Sequence, residues 1–264
     1  TLTHLFDYLI VCNGIFSQPF IPEYPGAETF TAAGGRLCHT SQYNEAEDSR
    51  DKNLLLVGYG KSSCDVANAS VGISKSVNVI ARNLIWKMPR FFGRLNMKYL
   101  LLTRMGEGLF RYIRLRGFEK FLHGLGRPIR DGMLGKVEAL IADQLDLEEI
   151  GLHPGKPLET IGRSTVSMVS GDFYRHVKAG ALKVRKHTVI TELRPGEAVL
   201  SDGETIPADI IVCGTGWHQR VPFLGSDLMS KITDSRGNFR LYLSIMPVGV
   251  SRLAFNGYNS SFFS

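Results

Sequence analysis

The stretch Leu54-Leu-Leu-Val-Gly58-Tyr-Gly60-Lys-Ser62-Ser63-Cys-Asp-Val-Ala constrains this chain more than any other. An apolar run enters a Gly-x-Gly turn, and the turn leaves into a segment of helical spacing. Strand, turn, helix and then a second strand at Ser76–Ala81 is the order of a parallel α/β unit. The first glycine permits the tight turn, and the second lets the backbone come close to a diphosphate. Beyond them Lys61, Ser62 and Ser63 open a helix whose N-terminus offers free N–H groups and partial positive charge to an anion. Ser63 stands where many such turns carry a third glycine, and it is small enough for close helix–strand packing.

The second strand, Val77-Asn-Val-Ile-Ala, ends in Arg82, and no Asp or Glu occurs between Asp65 and Glu107. An NAD site would place a carboxylate on the ribose hydroxyls about 20 residues beyond the turn. A guanidinium pairs instead with a 2′-phosphate, which a carboxylate would repel. Gly58, Gly60, Lys61, Ser62, Ser63 and Arg82 together predict NADP(H) rather than NAD(H).

Around this unit the pattern predicts an α/β fold: a doubly wound, Rossmann-like parallel sheet. Strands are expected at Tyr8–Cys12, Asn53–Gly58, Ser76–Ala81, Ala181–Val184, Val189–Leu193, Ala198–Ser201, Ile210–Cys213 and Arg252–Phe255. Helices are expected at Ser62–Val71, in parts of Leu95–Gly117, at Leu134–Gln144 and at Asp172–Ala179. Val189–Cys213, broken at Pro195-Gly196 and Asp202-Gly203, reads as a small antiparallel meander. Asn44–Asp51 reads as a linker and Gly151–Gly171 as a loop. Tyr8–Cys12 reads as a buried strand with almost nothing before it, so the chain is expected to begin and end inside a larger fold.

The net charge of +6 is unevenly spread: Ala81–Arg130 holds twelve Lys or Arg against Glu107 and Glu119, so the remainder is −4. Tyr99, Leu100, Leu101, Leu102, Met105, Leu109, Phe110, Ile113 and Leu115 lie between the bases in an amphipathic helical pattern. It reads as a solvated basic face over a core stripe, or as a surface for anionic lipid or a protein partner. Nucleic acid is the weakest alternative, because no nucleic-acid module accompanies the charge. No apolar run reaches the roughly 18 residues of a membrane span, and the first residues lack the pattern of a secretory signal. Cys12, Cys38, Cys64 and Cys213 have no CxxC spacing and suit a reducing compartment. A cytoplasmic location, with peripheral membrane contact as an option, is the expectation.

Further motifs carry a resemblance. Asp7-Tyr-Leu-Ile-Val-Cys-Asn13-Gly14 resembles the "D-hydrophobic-ATG" strand and turn of flavoproteins with two dinucleotide sites, and the proline-rich Pro19–Gly26 follows as in those proteins. Gly35-Arg-Leu-Cys-His39-Thr-Ser-Gln-Tyr43 resembles the FxGxxxHxxx(Y/W) motif of flavin-containing and Baeyer–Villiger monooxygenases, with Ala33 in place of the leading Phe. Tyr43 at the closing position favours the N- and S-oxygenating branch, since the other usually has Trp. The Gly58–Ser63 turn is similar to that family's NADPH loop, Ile210–Trp217 to its second ATG motif, and Leu253–Gly257 to its "LAFIG" strand. By this resemblance Asn13, Gly14, His39, Tyr43, Thr215 and Gly216 would lie near FAD or NADPH. Residues 1–40 and 208–264 would be incomplete parts of an FAD domain, and 41–207 an NADPH domain with a helical basic insert at 84–150. The family's opening GxGxxG for FAD does not precede Tyr8.

The resemblance implies that NADPH reduces FAD and that the reduced flavin activates O2. NADP+ would stay bound while a nucleophilic N or S, or a carbonyl, of a small molecule receives one oxygen. The cofactors supply that chemistry and the protein supplies position and water exclusion, which suits a sequence with no GxSxG, no HExxH and no metal-spaced His/Cys cluster. Two other readings stay open. Tyr174-Arg-His-Val-Lys178 matches the YxxxK of short-chain dehydrogenases, in which one helical turn sets a phenol beside an ammonium; here the pair is expected on a helix surface and in packing. A non-catalytic NADPH-binding module that needs a partner for FAD is the alternative from outside enzymology. The redox CxxC or CxxxxC of flavin disulfide reductases is missing.

Overall fold

The computed structural model describes residues 4–101, 103–110, 115–163, 167–218, 220–235 and 237–258. They divide into two compact units, one made of Pro22–Gly214 and the other of the stretches up to Ile21 and from Thr215 onward.

The larger unit is built on five parallel strands in the order Lys183–Lys186, Ser76–Ala81, Asn53–Val57, Ile210–Cys213, Arg36–His39. Leu54, Leu55 and Leu56 of the central strand are fully buried. Both faces of the sheet are covered, which is why this strand reads as an unbroken apolar run. Leu54, Leu56, Val77, Val79, Ala81, Ile210 and Val212 join one core with Cys64 and Ala67 of the Lys61–Ser70 helix and Phe173 of the Gly171–Lys178 helix. The antiparallel meander is Ile190–Arg194, Glu197–Leu200 and Thr205–Pro207. Ile210–Cys213 does not continue it: this strand leaves the meander and enters the parallel sheet, and Arg36–His39 pairs beside it. The units therefore divide at Ile21/Pro22 and Gly214/Thr215 rather than near residues 40 and 207, because both strands hydrogen-bond into the larger sheet.

Four readings between residues 84 and 186 change. The expected Gly151–Gly171 loop contains the strand Ser167–Val169, paired in parallel with Lys87–Pro89. The amphipathic helix is broken into a Phe91–Phe92/Leu95–Asn96 hairpin and the short helices Lys98–Leu101 and Arg104–Gly108; Leu102 and Ile113 lie outside the described residues. The helix expected at Leu134–Gln144 begins seven residues earlier, at Arg127, where Pro128 suits its first turn. The strand expected at Ala181–Val184 starts at Lys183, because the N–H groups of Ala181 and Leu182 still close the preceding helix on the His176 carbonyl.

Among the described residues of the smaller unit Leu9–Val11 pairs in parallel with Leu253–Phe255 alone. Val11, Val221, Ile232, Leu253 and Phe255 form its apolar cluster. The expected buried strand is only one-third buried: Val11 is enclosed, while Leu9 and Ile10 are exposed.

Candidate functional site

The Asn53–Val57 strand ends in Gly58, whose φ of +106° is one that side-chain-bearing residues rarely adopt. A Cβ there would lie 2.6 Å from the Gly214 carbonyl oxygen. Gly58 donates to the Ile80 carbonyl and Gly214 to that of Val57, so the turn is tied to strands on both sides. Gly214 is itself pressed against the Ser63 hydroxyl. The position that often holds a third glycine is thus filled by a fully buried serine, with the glycine moved to the facing strand end.

Gly60 is different. It has an ordinary extended φ of −82°, and a Cβ on it would meet nothing within 4 Å. The open space lies at the N-terminus of the ten-residue Lys61–Ser70 helix, which no side chain caps and whose first turn holds no acidic residue. First-turn N–H groups left this way, with the helix dipole behind them, suit an anion. Lys61 and Ser62 are exposed there, and Lys61 pairs with Asp65. Arg82 follows directly on the neighbouring Ser76–Ala81 strand, is exposed, and makes no ion pair among the described residues. Val57 faces Ile80 in the register, so turn and guanidinium stand at the same carboxyl edge of the sheet. These residues fit a dinucleotide with a 2′-phosphate.

The other expected site residues fall elsewhere. His39 ends the edge strand opposite Cys213 and is buried; its Nδ1 faces Ser41, accepting from the backbone N–H at 3.2 Å, while its own N–H donates to Gln42 Oε1 at 2.9 Å. It caps a 3-10 turn at the sheet's carboxyl edge. Tyr43 is a core residue whose hydroxyl reaches the Ala46 carbonyl and Ser70, at the end of the helix away from the glycine turn. Thr215 donates to the Phe20 carbonyl and the Gly216 carbonyl accepts from Phe20, a structural clasp within the smaller unit. Asn13 is held between Ser17 and Tyr258, beside Gly14 at φ +68°. Among the described residues of the smaller unit no strand runs through a glycine turn into a helix: Leu9–Val11 leads through Gly14 to the extended Gln18–Pro19. These residues do not fit the diphosphate of FAD.

One buried polar group is not legible in the sequence. Behind the turn, Tyr59 and Tyr174 are buried with hydroxyls 3.2 Å apart, and the Lys87 ammonium lies 4.3 Å from the Tyr59 ring centroid and 3.0 Å from Ser167 Oγ. Tyr174 is therefore no surface residue, and Lys178 is exposed and paired with Asp146 and Glu149, so the YxxxK pair does not exist as a site. Burial pushes the Tyr59, Tyr174 and Cys64 groups up and the Lys87 ammonium down from their ordinary ranges. It also pushes the Cys213 thiol up to about 11. Cys38, Cys64 and Cys213 are buried free thiols, and no metal-binding cluster occurs among the described residues.

The flavin-binding monooxygenase-like family matches residues 1–257. The chain belongs to that family. Its members are oxidoreductases that use FAD and NADPH. The chain is 26% identical over 261 residues to flavin-containing monooxygenase 1 of Sus scrofa, a match covering 94% of this chain and 42% of that protein. A shorter stretch of 67 residues is 46% identical to the trimethylamine monooxygenase of Pelagibacter sp. strain HTCC7211, covering 25% of this chain and 14% of that one. In fold it is similar to a cyclohexanone monooxygenase variant from Rhodococcus sp. Phi1 bound to NADP+, with a TM-score of 0.57 at 14% identity over 94% of this chain and 55% of that one. This family member thus spans less than half the length of the porcine relative.

Proposed function

We propose that this chain forms the NADPH-binding part of a flavin-dependent monooxygenase that uses O2 to oxygenate a nucleophilic nitrogen or sulfur of a small molecule. The observation that carries it is the open, uncapped glycine turn with Arg82 free at the neighbouring strand end. Gly58, Gly60 and the first turn of the Lys61–Ser70 helix would hold the diphosphate, and Arg82 the 2′-phosphate. NADPH supplies hydride when bound; the chain's own residues bind and orient it. The likeness to a trimethylamine monooxygenase supports nitrogen as the oxygenated atom over a carbonyl carbon neighbour. FAD enters through the family, and no step is assigned here to residues that would hold it.

Titration of the purified protein with NADPH and NADH tests the reading. NADPH is expected to bind more tightly. Arg82→Ala should weaken NADPH by about 1.5–3 kcal/mol, tenfold or more, through loss of a charge-assisted contact, and leave NADH unchanged. Equal affinities of wild type and variant for NADPH would refute it. The non-catalytic module keeps one supporting observation, the unsuitability of the smaller unit's turns for a flavin diphosphate. A visible flavin spectrum in the purified protein decides against that module.

The basic stretch supports contact with an anionic membrane surface. Phe118 and Phe121 stack at 5.8 Å, Leu125 and Ile129 follow, all four are exposed, and Lys120 and Arg127 stand among them. No helix among the described residues is long and apolar enough to cross a membrane. Co-sedimentation with phosphatidylserine vesicles, lost at high salt and absent with phosphatidylcholine alone, is the expected result.

A further inference from the structure

Lys87 is 1% exposed, an extreme position for a lysine. Its ammonium has the Tyr59 ring face at 4.3 Å and Ser167 Oγ at 3.0 Å, with Cys64 beside it and Tyr174 beyond Tyr59. Asp65 and Lys61, on either side of Cys64 in the same helix, act on the ammonium in opposite senses and are paired with each other. Among the described residues no carboxylate touches Nζ. A buried ammonium ordinarily needs a counter-charge in contact with it, and among the described residues this one has none.

Its location adds to the imbalance. Tyr59 is the middle residue of the Gly58–Gly60 turn, and Cys64 lies at the end of the first turn of the Lys61–Ser70 helix. The positive end of a helix dipole disfavours a cation nearby. Two sources of positive potential therefore converge under the turn, in an interior that screens them poorly.

We propose that Lys87 is a positioning residue of the dinucleotide site: its ammonium props Tyr59, and with it the Gly58–Gly60 turn, and receives its counter-charge when a dinucleotide diphosphate settles on that turn. This rests on the NADP(H) reading of the turn. Two consequences separate Lys87 from Arg82. The diphosphate is common to both nucleotides, so Lys87 acts on NADP+ and NAD+ alike, whereas Arg82 acts on NADP+ alone. Burial also pulls the Lys87 ammonium below its ordinary range. A bound anion favours the charged form again, so binding takes up protons and the affinity falls as pH rises.

The test is calorimetric titration of wild type, Lys87→Met and Lys87→Arg with NADP+ and with NAD+, at alkaline pH in buffers of different ionisation enthalpy. NAD+ has no 2′-phosphate, so its titration cannot be mistaken for that of the ligand. Lys87→Met should loosen both nucleotides by the same factor, about tenfold, and abolish proton uptake. Lys87→Arg should restore much of the affinity without proton uptake, because a guanidinium stays charged. Unchanged affinity in Lys87→Met, or proton uptake that persists in either variant, would overturn the proposal. If wild type binds neither nucleotide, the reading of the turn itself fails. Wild-type binding with an indifferent Lys87→Met removes Lys87 alone.

Discussion

Asn53–Val57 and Leu9–Val11 are both short, apolar, parallel strands, yet the chain treats them oppositely. The first has partners on both sides and three leucines with no exposure; the second has one partner and leaves Leu9 42% and Ile10 60% exposed. An apolar run specifies a strand, but neighbours specify burial. The larger unit supplies them through strands far apart in sequence, and the described residues of the smaller unit supply only Leu253–Phe255.

The largest effect that sharpens this comparison is in the central strand. Leu55→Ala should cost about 2–5 kcal/mol of stability, the range for deleting a fully enclosed leucine side chain. Urea unfolding followed by circular dichroism measures it. A loss under 1 kcal/mol would mean that the central sheet is far less tightly packed than its burial says.

Two glycines that follow these strands extend the contrast. Gly58 and Gly14 both have positive φ, but a Cβ at Gly58 would lie 2.6 Å from a carbonyl oxygen, and at Gly14 its nearest neighbour is 4.0 Å away. Gly58→Ala should therefore destabilise by about 1–3 kcal/mol from backbone strain, with the clash in addition, and abolish nucleotide binding. Gly14→Ala carries only the left-handed cost of about 1 kcal/mol. Gly60→Ala, with space around it, should leave stability nearly unchanged while weakening NADP(H); thermal unfolding and nucleotide titration of the three variants separate these effects.

The contrast also shows what could be read in advance. The turn, its helix and Arg82 are contiguous, so their chemistry is visible in some thirty residues of sequence. The parallel sheet was visible too, through its apolar runs. Lys87 is not legible in the same way: it lies in a stretch rich in bases and reads with them as surface charge. Its partner Ser167 is eighty residues away, on a strand that the Gly/Ser/Thr-rich sequence disguises as a loop. Arg130 was hidden likewise, buried against His123, Asp131 and Glu159. Tyr43 misled in the other direction, since a motif position at the right spacing proved to be core packing against Ser70.

That lysine marks a further difference between the units, because the smaller unit's cluster is apolar throughout. Replacing a buried charge by an apolar side chain of similar shape is often stabilising. Lys87→Met should raise stability at pH 7 by about 1–2 kcal/mol, even as it weakens nucleotide binding. The folded-state pKa of Lys87 lies below its unfolded value, so the unfolded chain binds more protons and the wild type gains stability as pH rises. The advantage of the variant should therefore shrink as pH approaches the ordinary lysine value of 10.5. Parallel denaturant titrations of the two proteins at several alkaline pH values check the trend, and a gap that widens with pH would contradict it.

The smallest expected effect lies on the strand that lacks neighbours. Leu5, Phe6, Tyr8, Leu9 and Ile10 follow one another closely in sequence and are all exposed. Such apolar surface adds little to the folded state and favours self-association. Ile10→Ser should change stability by no more than about 0.5 kcal/mol, and light scattering should show reduced association. Should the substitution instead cost more than about 1.5 kcal/mol, as removal of an enclosed side chain does, then this strand is covered in solution. The comparison with Asn53–Val57 would then become one between two buried strands, the second completed by a second copy or by another part of the protein. Repeating the measurement at several protein concentrations distinguishes the two, because only cover by a second copy makes the loss depend on concentration.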